Sequence, residues 1–260
     1  MILQIYTILQ SCRKSPIFIG RQDSWKIFLM NILVISDVHG RTDWKTIAAR
    51  ETNAGKIIFL GDYFDSFDIS ANNQIANFNE IISFKKANND KVILLTGNHD
   101  LHYLPYYITM NEQYSGFQAR HAYTLSDLIQ SNIHHLQMAH QHDSYLFTHA
   151  GVTNTWLEHN GFDDEQALTT FLNELFQHKP AAFRFRGDDP YGNSIESSPV
   201  WVRPESLMKD AYNKEQLKQV AGHTVFKHIN IIEGKYFFVD AQESGEYLTI
   251  SESGYNIHSY

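Results

Sequence analysis

At 260 residues the chain can bury one large α/β core or two small ones, and its formal net charge of -8 argues against a surface built to grip nucleic-acid phosphates. Its single cysteine, Cys12, excludes an intrachain disulfide and a thiolate zinc cluster, and fits a reducing cytoplasm. No apolar run approaches the roughly 20 residues of a membrane span, and the apolar opening MILQIYTILQ lacks the basic residues that precede a secretory leader.

Met30 stands directly before the first core pattern, so residues 1–29 are expected to be an extension outside the core, upstream of the true start. Residues 32–35 form an apolar run that reads as a strand buried on both faces, and it stops at Asp37 and His39. Loops at the carboxyl ends of such strands lie outside the sheet and converge, which is where open α/β sheets bind ligands. Residues 42–50 read as a short helix with Trp44, Ile47 and Ala48 on one face and Gly55 as its stop. A second strand, 56–60, runs into Gly61-Asp62-Tyr63-Phe64-Asp65. A longer helix over 69–87, with Ile75, Phe78 and Ile82 in its core stripe, leads to a third strand, 91–95, that ends in Gly97-Asn98-His99-Asp100. This alternation implies parallel strands with right-handed crossovers.

The aromatic-rich stretch 103–110 fits no period, whereas 121–130 reads as helix. Residues 133–138 and 144–147 read as two strands around a turn at Gln141-His142-Asp143, the second ending in Thr148-His149-Ala150-Gly151. A helix between Asp163 and His178, capped by Asp163 or Asp164, presents Leu168, Phe171, Leu172 and Leu175. Residues 179–204 are loop-like and expected to form a rim over the site. Residues 217–221 then lead into Gly222-His223-Thr224, and 229–250 read as a β-meander with turns at Glu233-Gly234 and Ser244-Gly245.

Any one of these strand-end motifs is weak, because Asp-x-His and Gly-Asp occur by chance in many loops; five in order, each after an apolar strand, are specific. The set Asp37-x-His39, Gly61-Asp62-x-x-Asp65, Gly97-Asn98-His99-Asp100, His149-Ala150-Gly151 and Gly222-His223 resembles the calcineurin-like metallophosphoesterase family over residues 32–240. The resemblance implies an α/β fold, a two-sheet α/β/β/α sandwich. It assigns residues 30–260 to one metallophosphoesterase domain with a loop-rich insertion at about 152–204.

It also implies two divalent metal ions, one held by Asp37, His39 and Asp62, the other by Asp62 as shared ligand with Asn98, His149 and His223. Ligands of this kind without sulfur suit Mn, with Fe or Zn as alternatives. The implied reaction is hydrolysis of a phosphate ester by hydroxide activated between the ions. His99 resembles the family's general acid, oriented and kept protonated by Asp65.

Two departures narrow the branch. Where many relatives carry Gly-His-x-His, this chain has Gly222-His223-Thr224-Val225, which resembles serine/threonine phosphoprotein phosphatases and symmetrical diadenosine tetraphosphatases. Those relatives place arginine directly after the second aspartate of Gly-Asp-x-x-Asp, but here it is Ser66. Arg203, in Val200-Trp201-Val202-Arg203-Pro204, is the candidate phosphate anchor, with Arg184 and Arg186 as weaker substitutes.

The expected function is phosphomonoester hydrolysis like that of phosphoprotein phosphatases; the alternative is a dinucleoside polyphosphate hydrolase or nucleotidase. The partner is a phosphorylated substrate, whether small molecule, nucleotide or phosphoprotein, with neither nucleic acid nor membrane. The ten histidines other than His39, His99, His149 and His223, out of 14, read as structural, His102 being the exception as a group at the substrate rim or behind the site. Asp240 is a candidate brace for the His223 loop. Turns requiring unusual backbone angles explain Gly61, Gly97, Gly151 and Gly222.

Overall fold

The computed structural model describes residues 31–260, apart from 112–113, 187–188, 190 and 242–243. The extension expected at residues 1–29 lies outside the described residues. In chain order the elements begin β1 (Asn31–Ile35), α1 (Asp43–Arg50), β2 (Ala54–Phe59), α2 (Ala71–Ala87), β3 (Val92–Leu95), α3 (Asn98–Leu101) and α4 (Pro105–Met110). There follow α5 (Ala122–Asn132), β4 (Leu136–Gln137), β5 (Ala139–His142), β6 (Tyr145–Thr148), α6 (Asn154–His159) and α7 (Leu168–His178). The chain closes with α8 (Pro204–Asp210), β7 (Lys218–Ala221), β8 (Asn230–Ile232), β9 (Tyr236–Phe238), β10 (Glu246–Ser251) and β11 (Gly254–Ser259).

Two sheets form, ordered β11-β10-β1-β2-β3-β4 and β5-β6-β7-β9-β8. In the first, β1, β2, β3 and β4 are mutually parallel, with Leu33 opposite Ile57 and Ile58 opposite Ile93. Alternation along β1 sends Ile32 and Val34 into the layer between the sheets, with Ile58, Leu95, Phe147, Val220 and Phe237. Leu33 and Ile35 point the other way, against Trp44 and Ile47 of α1 and Phe78 and Ile81 of α2. The outer face of the second sheet is covered in turn, Ala221 and Phe238 packing on Val202 and Leu207. Burial on both faces is why these strands are continuous apolar runs, and the layers make the expected α/β/β/α sandwich.

The sequence reading departs from the structure where partners are distant. Residues 133–138 are not one strand: Ile133–His135 is a 3-10 turn and β4 has two residues. The chain then changes sheets at Met138, where the Met138 and Ala139 amides both donate to Asn173 Oδ1 at 2.8 and 3.0 Å. β5, carrying His140, Gln141 and His142, is an edge strand whose polar residues hide it from an apolar pattern. The β-meander is also corrected: β8 and β9 pair as a hairpin, but β10 crosses to the first sheet and pairs with β1. α7 starts at Leu168 without a side-chain cap, because Asp163 Oδ1 accepts from the Glu165 amide at 3.0 Å in a preceding turn. Gly55 lies inside β2, and α1 ends at Glu51 instead. α3, α4, α6 and α8 lie outside the helices that the sequence predicts; α6 is capped by Thr153, whose hydroxyl accepts from the Trp156 amide. Among the described residues no helix is long and apolar enough to cross a membrane.

Candidate active site

All the strand-end motifs meet at one edge of the sandwich. Asp37 and His39 follow β1, Asp62 and Asp65 follow β2, Asn98 and His99 open α3 beyond β3, His149 follows β6, and His223 follows β7. The site therefore draws on the carboxyl ends of parallel strands in both sheets.

Backbone contacts join the loops. The Val38 and His39 amides donate to Asp62 O at 3.1 and 2.6 Å, and the Gly40 amide to Tyr63 O at 3.0 Å. Asp100, given no role from sequence, ties the third loop in: Oδ2 accepts from the Asp62 and Gly97 amides and Oδ1 from the Tyr63 amide, each at 2.8 Å. Its local signal was a carboxylate three residues after Gly97, the position that reaches back to a helix start.

Of the eight non-glycine residues with positive φ among those described, four are His39, Asp62, Asp65 and His223, so left-handed strain is concentrated at the site. Glycine serves two purposes here. Gly61 and Gly151 have φ of 107° and 114°, as expected of tight turns. Gly97 and Gly222 lie outside the left-handed region; a Cβ on either would collide with a carboxylate oxygen, of Asp62 and Asp37 respectively. Their reason is close approach, which corrects the turn explanation for these two.

The donor set fits cations. Asp37, His39 and Asp62 each bring a ligand atom within 4.8 Å of the others. His149 Nε2 is 3.4 Å from Asp62 Oδ2 and 2.8 Å from Asn98 Oδ1, and His223 Nδ1 is 2.9 Å from the same amide oxygen. On all three histidines the remaining ring nitrogen donates to a backbone carbonyl: His39 Nδ1 to Phe64 O at 2.6 Å, His149 Nδ1 to Leu60 O at 2.9 Å, His223 Nε2 to Trp201 O at 3.1 Å. A carbonyl only accepts, so with the proton of a neutral ring on that nitrogen the inward nitrogen is a bare lone pair, and facing further acceptors, the Asn98 oxygen and the Asp62 carboxylate, such lone pairs are matched by a cation between them. Lone pairs, an amide oxygen and two buried carboxylates thus converge, and divalent cations would satisfy them all.

The charges agree. Burial, then the Asp240 and Asp62 carboxylates, push the Asp37 pKa well above its usual value. Burial also raises Asp62, but the imidazoles of His149, His99 and His39 outweigh it and hold that carboxyl well below its usual range. His149 and His223 are lowered chiefly by burial, which favours the neutral, ligating form.

Beside this centre, His99 Nδ1 donates to Asp65 Oδ2 at 3.0 Å, its amide donates to Asp62 Oδ1 at 2.9 Å, and its ring lies edge-on to that of His39 at 5.1 Å. Burial alone would lower its pKa; the Asp62 charge first, then Asp65, raise it to about 9. Arg203 reaches the same edge from the 179–204 segment, Nη1 donating to His223 O at 3.2 Å and Thr224 Oγ1 at 3.1 Å, and Nε to Tyr191 O at 2.8 Å. That segment also supplies Trp201, whose carbonyl faces His223 Nε2, so residues of 179–204 border the candidate site at His223. Asp240 braces the stretch after His223 through its backbone, its carbonyl accepting from the Phe226 amide at 2.8 Å. His102 is wholly buried behind the site and is not a rim group.

A family model described as calcineurin-like phosphoesterase matches residues 30–227. In structure the chain is similar to a protein serine/threonine phosphatase from Saccharomyces cerevisiae with similarity to human phosphatase PP5, with a TM-score of 0.55 and 14% identity over 89% of this chain and 80% of that one. At that identity the likeness concerns the fold. No curated protein matches the chain significantly.

Proposed function

The chain belongs to the calcineurin-like phosphoesterase family, whose members are phosphoric ester hydrolases, and we propose that it is a metal-dependent phosphomonoesterase acting on alkyl phosphates such as a phosphorylated hydroxyl side chain or metabolite. Asp37, His39 and Asp62 would hold one divalent ion, and Asp62, Asn98, His149 and His223 the other, with manganese the first choice for a set rich in imidazole and carboxylate. When bound, such ions would supply positive charge to the phosphoryl oxygens and lower the pKa of a bound water, so that hydroxide is available at neutral pH. The chain's own residues do the rest. Arg203, held against the His223 loop, is placed to grip a phosphoryl oxygen. His99, charged and oriented by Asp65, delivers a proton to the departing oxygen.

The observation that carries this reading is the Asp65–His99 pair. An alkoxide is a poor leaving group and needs a proton, whereas a nucleotide leaving from a phosphoanhydride departs as a stable anion. A buried, charge-supported imidazole beside the centre is therefore most useful for an alkyl monoester, a nucleoside monophosphate included, and least for the phosphoanhydride of a dinucleoside polyphosphate. One feature favours the second reading, a dinucleoside polyphosphate hydrolase or nucleotidase: a groove of 500 Å³ beside Arg203, lined by Tyr191, Met208, Thr224, Phe226 and Ile232, has room for a larger substrate. The single cysteine supports a reducing compartment, and we place the protein in the cytoplasm on that ground.

The test is turnover by manganese-loaded protein of an alkyl phosphate, an aryl phosphate, a phosphopeptide and a diadenosine polyphosphate, each with wild type and His99→Asn. The substitution should cost roughly 10²- to 10⁴-fold in kcat on the alkyl ester and much less on the aryl ester. Preference for the diadenosine compound, with no effect of His99→Asn, would favour the second reading.

A further inference from the structure

Asp65 has more donors than a two-residue acid needs. Its Oδ2 accepts from His99 Nδ1 at 3.0 Å and from His102 Nδ1 at 3.1 Å; its Oδ1 accepts from the Tyr103 hydroxyl and from Gln118 Nε2 at 3.3 Å. A carboxylate only accepts, so both ring nitrogens facing Oδ2 carry hydrogen, and neutral His102 is fixed as the Nδ1–H tautomer. Its Nε2 is then a bare lone pair, buried and without a hydrogen-bond partner among the described residues. The centre of the His102 ring lies 5.3 Å from that of Tyr114 and 6.5 Å from that of Trp201. An unsatisfied buried acceptor destabilises the fold, and phenylalanine at this position would avoid that cost. What phenylalanine cannot supply is the N–H aimed at Asp65.

We propose that His102 is a positioning residue for the hydrolysis, its Nδ1–H fixing the Asp65 carboxylate so that Oδ2 faces His99 and aims that imidazole at the leaving oxygen; this rests on the phosphoesterase reading above. The torsion that turns a carboxylate is soft and roughly two-fold, so one partner does not define it. Four donors do. Turning the group would break the Tyr103 and Gln118 contacts on Oδ1 together with the histidine contacts on Oδ2. Steric closure adds to this: at Gly116 a Cβ would lie 3.1 Å from Asp65 Cβ and 3.5 Å from His99 Cε1, so the backbone there sits directly on the pair.

Two variants separate positioning from packing. His102→Phe keeps an aromatic ring and removes the donor; His102→Asn removes the ring and keeps an N–H where Nδ1 was. With full metal content confirmed, His102→Phe should lower kcat on an alkyl phosphate by roughly tenfold or more and leave an activated aryl phosphate within about twofold. His102→Asn should retain the wild-type ratio between the two substrates. Equal losses on both substrates, or a worse ratio in His102→Asn than in His102→Phe, would overturn the proposal in favour of packing.

A readout independent of turnover is the long-range proton–nitrogen correlation of the histidine-labelled protein, free of paramagnetic metal. His102 should register as the neutral Nδ1–H tautomer, and an Nε2–H tautomer would overturn the proposal. Wild-type protein inert toward both esters would instead sink the phosphoesterase reading, and the role of His102 with it.

Discussion

Asp65→Asn removes a charge from the carboxylate that faces His99 while keeping its size. The His99 pKa stands at about 9 against an ordinary 6.5, raised by Asp62 and Asp65 against the opposing effect of burial. At about 1.4 kcal/mol per pH unit, that difference is a preference of roughly 3 kcal/mol for the charged imidazole. The Nδ1 contact at 3.0 Å is a charge-assisted bond, and losing its charge should remove roughly 1.5 kcal/mol, or about one pH unit. The sign follows from the role. A general acid works while protonated, so activity falls as pH rises through its pKa, and a lower pKa moves that fall to lower pH. The alkaline limb of kcat/KM for an alkyl phosphate should therefore shift down by about one pH unit in Asp65→Asn. In metal-loaded enzyme bound cations offset the charge of Asp62, which leaves Asp65 the larger share. The assay is the pH–rate profile, paired with a nuclear magnetic resonance titration of the His99 ring in metal-free wild type and variant. An alkaline limb and a ring titration both unmoved by the substitution would refute the claim that Asp65 holds the proton on His99.

Asp62→Asn should weaken both metal sites together, because Oδ2 lies 3.6 Å from His39 Nε2 and 3.4 Å from His149 Nε2, between the two groups. The loss should exceed the roughly 10- to 100-fold typical of losing a ligand's supporting hydrogen bond, and two ions per chain at wild-type affinity by elemental analysis and calorimetry would contradict the shared-ligand assignment. Arg203→Ala should raise KM and the inhibition constant of free phosphate by roughly 10- to 100-fold with metal content unchanged, as expected from losing a charge-assisted contact. Unchanged phosphate inhibition would transfer the anchor role to Arg184 or Arg186.

The sequence by itself determined which strand ends carry chemistry. β1, β2, β3 and β6 carry short buried apolar runs, a local pattern, and these strands and β7 are each followed within three residues by their Asp, His or Asn. Residue type and order therefore carried the family resemblance, and that resemblance in turn proposes Asp37, His39, Asp62, Asn98, His149 and His223 as one metal-binding set with the Asp65–His99 pair beside it. Only the tertiary structure decided how those groups are held. The His223 amide bonds the Asp37 carboxylate across 186 residues, and Asp100 grips amides 37 and 38 residues away. No local period encodes such pairs. The same limit explains β5, whose polar residues are stabilised by a neighbouring strand, and β10, whose partner β1 lies in the other sheet from the hairpin before it. It explains His102 as well. As a letter it is one histidine among many, and its carboxylate partner comes from another loop that the fold brings within 3.1 Å. Burial and periodicity are written along the chain, whereas the direction of a hydrogen bond between loops exists only once the sheets have set the loops side by side.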